Sequence, residues 1–176
     1  MALFEPAFEL TMKHEGGYIW DRQDHGGETY MGISRKSWPG WNGWPDIDRI
    51  KQITSAVADT STLLKINADL QGRVRDFYKR NFWTPVMDEI NDQELVNWLF
   101  DKGVNMGIQR AYKLLQRALV VDEDGVIGPQ TKAHINGADP VELLAACRNE
   151  AKRFYTNLAL RDPTQSRFLH GWLARA

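Results

Sequence analysis

Glu15 is followed at once by Gly16-Gly17, and the polar segment beyond that break carries Asp21, Asp24 and Thr29. Two carboxylates facing each other across a chain reversal can divide acid–base work. A protonated one gives its proton to a leaving oxygen, while an ionised partner positions water or stabilises positive charge on a sugar, which is the demand of glycosidic hydrolysis. Glu15, beside an apolar run and Tyr18, suits the proton-holding role, and Asp24, beside His25 and two glycines, suits the ionised one. On residue types alone the same side chains also read as ordinary surface and turn residues, with Asp21 as a turn initiator. A metal site built from His14, Asp24 and His25 lacks any ligand spacing that would support it.

These side chains need a helix end, a reversal and a small polar hairpin to position them. Phe4, Phe8 and Met12 recur at helical spacing, so a helix over about residues 5 to 15 is expected, stopped by Gly16-Gly17. The stretch from Tyr18 to Ser34 mixes aromatic and β-branched residues around Asp24-His25-Gly26-Gly27 and reads as a short irregular hairpin. Residues 37–46 hold three tryptophans, two prolines and two glycines, a composition for a structured loop walling a cleft. Beyond Asp46 the pattern is helical throughout. Ile47, Ile50 and Ile53 mark a short helix, and Leu63, Ile66, Leu70, Val74, Phe77 and Phe82 mark one long helix ended by Pro85. Asp92 caps a helix that Gly103 closes, another follows Gly107, Pro129 opens a short one, and Asp139-Pro140 opens a long one. A last helix holds Phe168 and Trp172.

Composition narrows the function classes. The 176 residues are 43% hydrophobic and 26% charged, the make-up of a folded domain with a sizeable core. Lys plus Arg number 22 against 23 Asp plus Glu, so no basic field exists to hold a nucleic acid, and none is expected as a partner. A single cysteine, Cys147, excludes an internal disulfide framework. The first residues lack a basic, apolar leader, and no run is long enough to span a bilayer, so synthesis in the cytoplasm without membrane insertion is expected.

The run Glu15-Gly-Gly-Tyr18, Asp21, Asp24, Gly26-Gly27, Thr29, Gly32-Ile33-Ser34 resembles the N-terminal motif of phage-type muramidases of glycoside hydrolase family 108. Related lysozyme-like phage enzymes space Glu, eight residues, Asp, five residues, Thr; residues 16–23 supply the eight, but only four separate Asp24 from Thr29, and Tyr30 stands at the sixth place. Phe100-Asp101-Lys-Gly103-Val-Asn105-Met-Gly107, Leu115-Gln116, Asp124-Gly125 and Gly128-Pro129-x-Thr131 resemble the helical peptidoglycan-binding module appended in this family. Arg153-Phe-Tyr155 and Phe168-Leu-His-Gly171-Trp172-Leu-x-Arg175 match its closing pattern, so nearly the whole chain is covered.

The resemblance implies a mainly α, lysozyme-like helical fold with a small irregular β-hairpin lobe, a catalytic region at 1–92 and a helical peptidoglycan-binding subdomain at 93–176. It implies a peptidoglycan hydrolase cutting the β-1,4 bond after N-acetylmuramic acid without a cofactor. Glu15 would be the general acid, Asp24 the opposing carboxylate, Thr29 a water-placing residue and Asp21 the understudy. Tyr18, Tyr30, Trp41 and Asn105 are the expected substrate contacts. A monomer made in the bacterial cytoplasm and acting in the periplasm or wall, released through a holin or a secretion pathway for phage or prophage lysis or for secretion-linked wall remodelling, completes the expectation. A lytic transglycosylase needs one glutamate and no second carboxylate, so Asp24 argues against it; a non-catalytic wall-binding module is disfavoured by the intact acidic set. Asp122-Glu-Asp124-Gly125 lacks the further oxygen ligands of a calcium loop and reads as a turn, and Cys147 on an apolar face reads as core.

Overall fold

The computed structural model describes residues 1–20, 27–54 and 56–176. It is mainly α, with ten α-helices and one three-stranded sheet among the described residues. The chain divides into two compact units, one of residues 8–83 and one of residues 1–7 with 84–176.

In the first unit, helix α1 (Phe4–Met12) contributes its second half. The helix stops earlier than the periodicity predicts. Lys13 and His14 donate backbone N–H groups to Leu10 and Thr11, a tighter closing turn, so Glu15 sits on a bend beyond the last helical residue. Strands β1 (Tyr18–Trp20), β2 (Glu28–Tyr30) and β3 (Ile33–Ser34) form an antiparallel sheet in that order. Tyr18 pairs with Tyr30, and Tyr30 with Ile33, and all three are buried, so one face of the sheet points into the core.

Helices α2 (Trp44–Ile53), α3 (Val57–Ile66) and α4 (Ala68–Phe82) complete this unit. The expected single helix over 63–82 is two helices. Asn67 leaves helical geometry, and its side chain accepts the Leu70 N–H, starting α4 with a cap that the apolar periodicity conceals. Leu64, Leu70 and Val74 have no exposed surface, and Phe77 and Tyr78 almost none.

The second unit holds α5 (Pro85–Asp88), α6 (Gln93–Met106), α7 (Ile108–Ala118), α8 (Pro129–Gly137), α9 (Pro140–Arg161), a 3-10 turn over Pro163–Phe168 and α10 (Leu169–Arg175). Asp92 and Asp139 cap α6 and α9, each accepting backbone N–H groups of the first turn. Gly103 does not close α6; the helix runs on to Met106, and Gly107 at φ 92° ends it. A Cβ at Gly103 would make only an ordinary contact with Ile108 at 3.5 Å. All residues of α6 from Leu95 to Gly103 are buried, which marks it as the core helix of its unit.

Its one internal charge cluster is compensated. Lys102, fully buried, donates to Asp101 at 2.9 Å and to the Arg175 carbonyl, while the Arg175 guanidinium pairs with Asp101 at 2.8 Å. Burial pushes the Asp101 carboxyl upward, but Arg175 and Lys102 outweigh it and hold the group below its ordinary range. Trp172 stacks on Tyr155 at 5.3 Å, so the closing pattern of the sequence is the clasp that seats α10.

Candidate active site

Glu15 is placed by three local features. The helix end behind it fixes its backbone, Gly16-Gly17 turn the chain into β1, and the Met31 N–H donates to the Gly17 carbonyl at 3.1 Å. That last bond draws the β2–β3 turn alongside the segment carrying the carboxylate. Met31 at φ 44° and Gly32 at φ 78° form a two-residue reversal of the kind that matches strand twist. Tyr78, on α4 and nearly fully buried, donates its hydroxyl to the Met31 carbonyl at 2.6 Å and so holds the turn from beneath.

The carboxylate lies directly over Gly32. A Cβ built on that glycine would stand 2.5 Å from Glu15 Oε2 and 2.5 Å from the Tyr78 hydroxyl, so these two oxygens are no more than twice that distance apart. The site therefore needs glycine at 32 twice over, for its backbone angle and for the space it leaves. Such an arrangement fixes one oxygen of a carboxyl group against a rigid turn while the half-exposed side chain remains reachable by a polar ligand.

The other sequence-derived residues are distributed unequally. Asp21 and Asp24, with His25, lie outside the described residues. Thr29 is half-buried in the middle of β2, opposite Ile19 and Ser34. Tyr18 is a core residue: its hydroxyl donates to Glu28 at 2.6 Å, and burial together with that carboxylate pushes its pKa well up. Tyr30 is 1% exposed and its hydroxyl lies between the Leu64 carbonyl and the Gln71 amide. Trp41 is also packed inward, stacked against Tyr30 and edge-on to Trp44, with its ring over Gly43. These three aromatic side chains thus build the unit's interior. Asn105 belongs to the other unit, on the last turn of α6, where it accepts the Tyr155 hydroxyl at 2.6 Å.

Sequence reasoning passed over Gly32 and Tyr78 as site residues. Gly32 lay inside the motif, but nothing in one sequence assigns it to Glu15; Tyr78 sits on the Leu70–Val74 stripe, where a ring and a functional hydroxyl look the same. It also passed over Glu28, a buried carboxylate on β2. Lys51 Nζ lies 2.8 Å and Arg35 Nε 2.7 Å from its two oxygens, so Glu28 ties the sheet to α2 as a compensated strut.

The fold is mainly α with a small antiparallel sheet, of the lysozyme-like class, and it holds an acidic residue just beyond a helix end. The family described as Glycosyl hydrolase 108 matches residues 8–107, more than half of the chain, and the chain belongs to it. Residues 110–176 match a second family, described as Predicted Peptidoglycan domain, and the two matches together make the chain a peptidoglycan hydrolase. The solved structure of Brucella abortus SagA is similar at 26% identity and a TM-score of 0.68, covering 98% of this chain and 88% of that one. No curated protein matches the chain.

Proposed function

We propose that the protein is an N-acetylmuramidase that hydrolyses the β-1,4 bond between N-acetylmuramic acid and N-acetylglucosamine, with Glu15 as general acid. The observation that carries this reading is the placement of the Glu15 carboxylate over Gly32 and beside the Tyr78 hydroxyl, a rigid seat for a proton donor. In the reaction Glu15 protonates the glycosidic oxygen as the bond to the anomeric carbon breaks, and the oxygen leaves as a sugar hydroxyl. Asp24 stabilises the positive charge that develops on the ring and directs the water that replaces the leaving group, with Thr29 helping to place that water. Asp21 is held as the alternative second carboxylate. The region at 1–92 carries the chemistry and the region at 93–176 holds the wall. Because peptidoglycan lies outside the cytoplasmic membrane, a holin pore or a secretion route would bring the enzyme to it, as phage or prophage lysis requires.

The two aspartates are separated by single substitutions. Asp24→Asn is expected to lower the rate of peptidoglycan clearing by roughly 10²-fold or more, and Asp21→Asn by far less, since acid–base groups contribute on that order. The reverse ranking exchanges their roles. Similar small losses at both would make them turn residues that hold the hairpin through their own backbone.

A further inference from the structure

The loop rich in tryptophan is built more firmly than its composition requires. Trp38 donates its backbone N–H to the Ser34 carbonyl, and its own carbonyl accepts from the Trp41 backbone and from the Trp44 indole at 2.7 Å. Arg73 on α4 donates to the Asn42 carbonyl at 2.8 Å and pairs with Asp46. Trp41 and Trp44 are buried within this scaffold, but Trp38 is 40% exposed, and its ring is braced by an edge contact with Phe77 at 4.9 Å.

Trp38 lines a cavity of about 410 Å³ together with Asn42 and with Asp76, Arg80 and Asn81 of α4. Trp41 also lines it, with a buried indole N–H that has no acceptor among the described residues. The volume lies in the range of small-ligand sites, which combine an apolar or aromatic surface with a few placed polar groups. An exposed indole presents a flat face to the C–H surface of a pyranose. A carboxylate, two guanidiniums, of which that of Arg73 is already paired with Asp46, and two carboxamides line the cavity and match the alternating donors and acceptors of ring hydroxyls and an acetamide. A nucleic acid would want a basic groove, and here Asp76 stands one helical turn from Arg80.

We propose that this cavity is a glycan subsite in which one N-acetylhexosamine ring of the wall strand stacks on Trp38, with Asp76, Arg80, Asn42 and Asn81 bonding its polar substituents. The proposal rests on the peptidoglycan reading above and names a place where that substrate is held. Phe77, which braces Trp38, and Tyr78, which braces the turn under Glu15, are successive residues of α4, so one helix supports both platform and carboxylate.

The test measures binding in the Glu15→Gln protein, which removes cleavage from the readout, by titration calorimetry with the soluble trimer of N-acetylglucosamine. Trp38→Ala is expected to weaken binding by about tenfold, and Trp38→Phe, which keeps an aromatic face, by clearly less. Asp76→Ala and Arg80→Ala alter exposed helix residues that leave the loop intact, and each is expected to weaken binding about threefold or more, with an unchanged unfolding temperature. Affinity unchanged in Trp38→Ala, Asp76→Ala and Arg80→Ala overturns the subsite, whatever the cleavage result. Loss of binding in these variants while the parent protein fails to cut peptidoglycan counts against the proposed chemistry and leaves the subsite standing.

Discussion

Glutamine in place of Glu15 is expected to abolish cleavage while the protein still folds. The two side chains are nearly isosteric, so the packing over Gly32 is kept, and what disappears is the proton that the leaving oxygen needs. General acid groups contribute roughly 10²- to 10⁴-fold, so the clearing rate of purified walls should fall by at least the lower of these factors. Thermal unfolding should remain within a degree or two of the parent, about the scale of a near-neutral substitution. Retention of more than about a tenth of the parent rate would remove Glu15 from the acid role, because no loss that small fits a missing proton donor.

Gly32→Ala is expected to do nearly as much damage from a residue that carries no chemistry. The alanine must adopt φ 78°, at a cost of about 1–2 kcal/mol for an L residue, and its methyl group would stand 2.5 Å from both Glu15 Oε2 and the Tyr78 hydroxyl. Both contacts are too short, so both side chains or the turn itself must shift, and the half-exposed carboxylate has more room to move than Tyr78, which is buried and bonded to Met31. A displacement on the order of 1 Å in a catalytic group can cost about 10²-fold, and that is the loss expected in the clearing rate. Gly107→Ala supplies the comparison, since Gly107 has φ 92° but a Cβ there meets nothing within 4 Å. Its φ 92° with ψ 143° lies close to a region essentially reserved for glycine, so this variant should lose at least as much stability as Gly32→Ala and still leave cleavage near the parent rate. Equal activity losses in the two variants would mean that backbone strain, and not the collision with Glu15, explains the effect.

What could be read from sequence was what local chemistry decides. Asp92 and Asp139 cap their helices as expected because a capping side chain bonds its own next turn, and Pro129 opens α8 for the same local reason. Glu15 stood out because a glutamate before two glycines marks a break after a helix. Its partners did not, because Gly32 and Tyr78 reach it only through the register of β1 on β2 and the packing of α4. The aromatic residues show the same limit. Tyr18 and Tyr30 look like sugar-stacking residues until the strand register puts both on the inner face of the sheet, and a shift of one residue would have turned them outward. Within the tryptophan loop no periodicity separates Trp41, which points inward, from Trp38, which remains exposed. The one-helix reading of 63–82 failed at Asn67, where a cap interrupts an apolar stripe that continues in phase on both sides.

The closing pattern teaches a related lesson. Asp101, Lys102, Tyr155, Trp172 and Arg175 carried much of the resemblance to a wall-binding module, yet in the structure they bond and stack on one another. They form a clasp between α6, α9 and α10, and Asp101 and Lys102 fall within the Glycosyl hydrolase 108 match over residues 8–107.

A hydrolytic cut after N-acetylmuramic acid leaves sugar ends of a defined kind, and the products of wild-type digestion reveal them. Purified peptidoglycan is digested, treated with borohydride and resolved by mass spectrometry. If Glu15 protonates the leaving oxygen and water takes the anomeric carbon, the new ends are N-acetylmuramic acid units that borohydride reduces. Dominant anhydro-muramic ends, one water lighter and resistant to reduction, would contradict hydrolysis by two carboxylates, and new reducing N-acetylglucosamine ends would contradict the bond assigned.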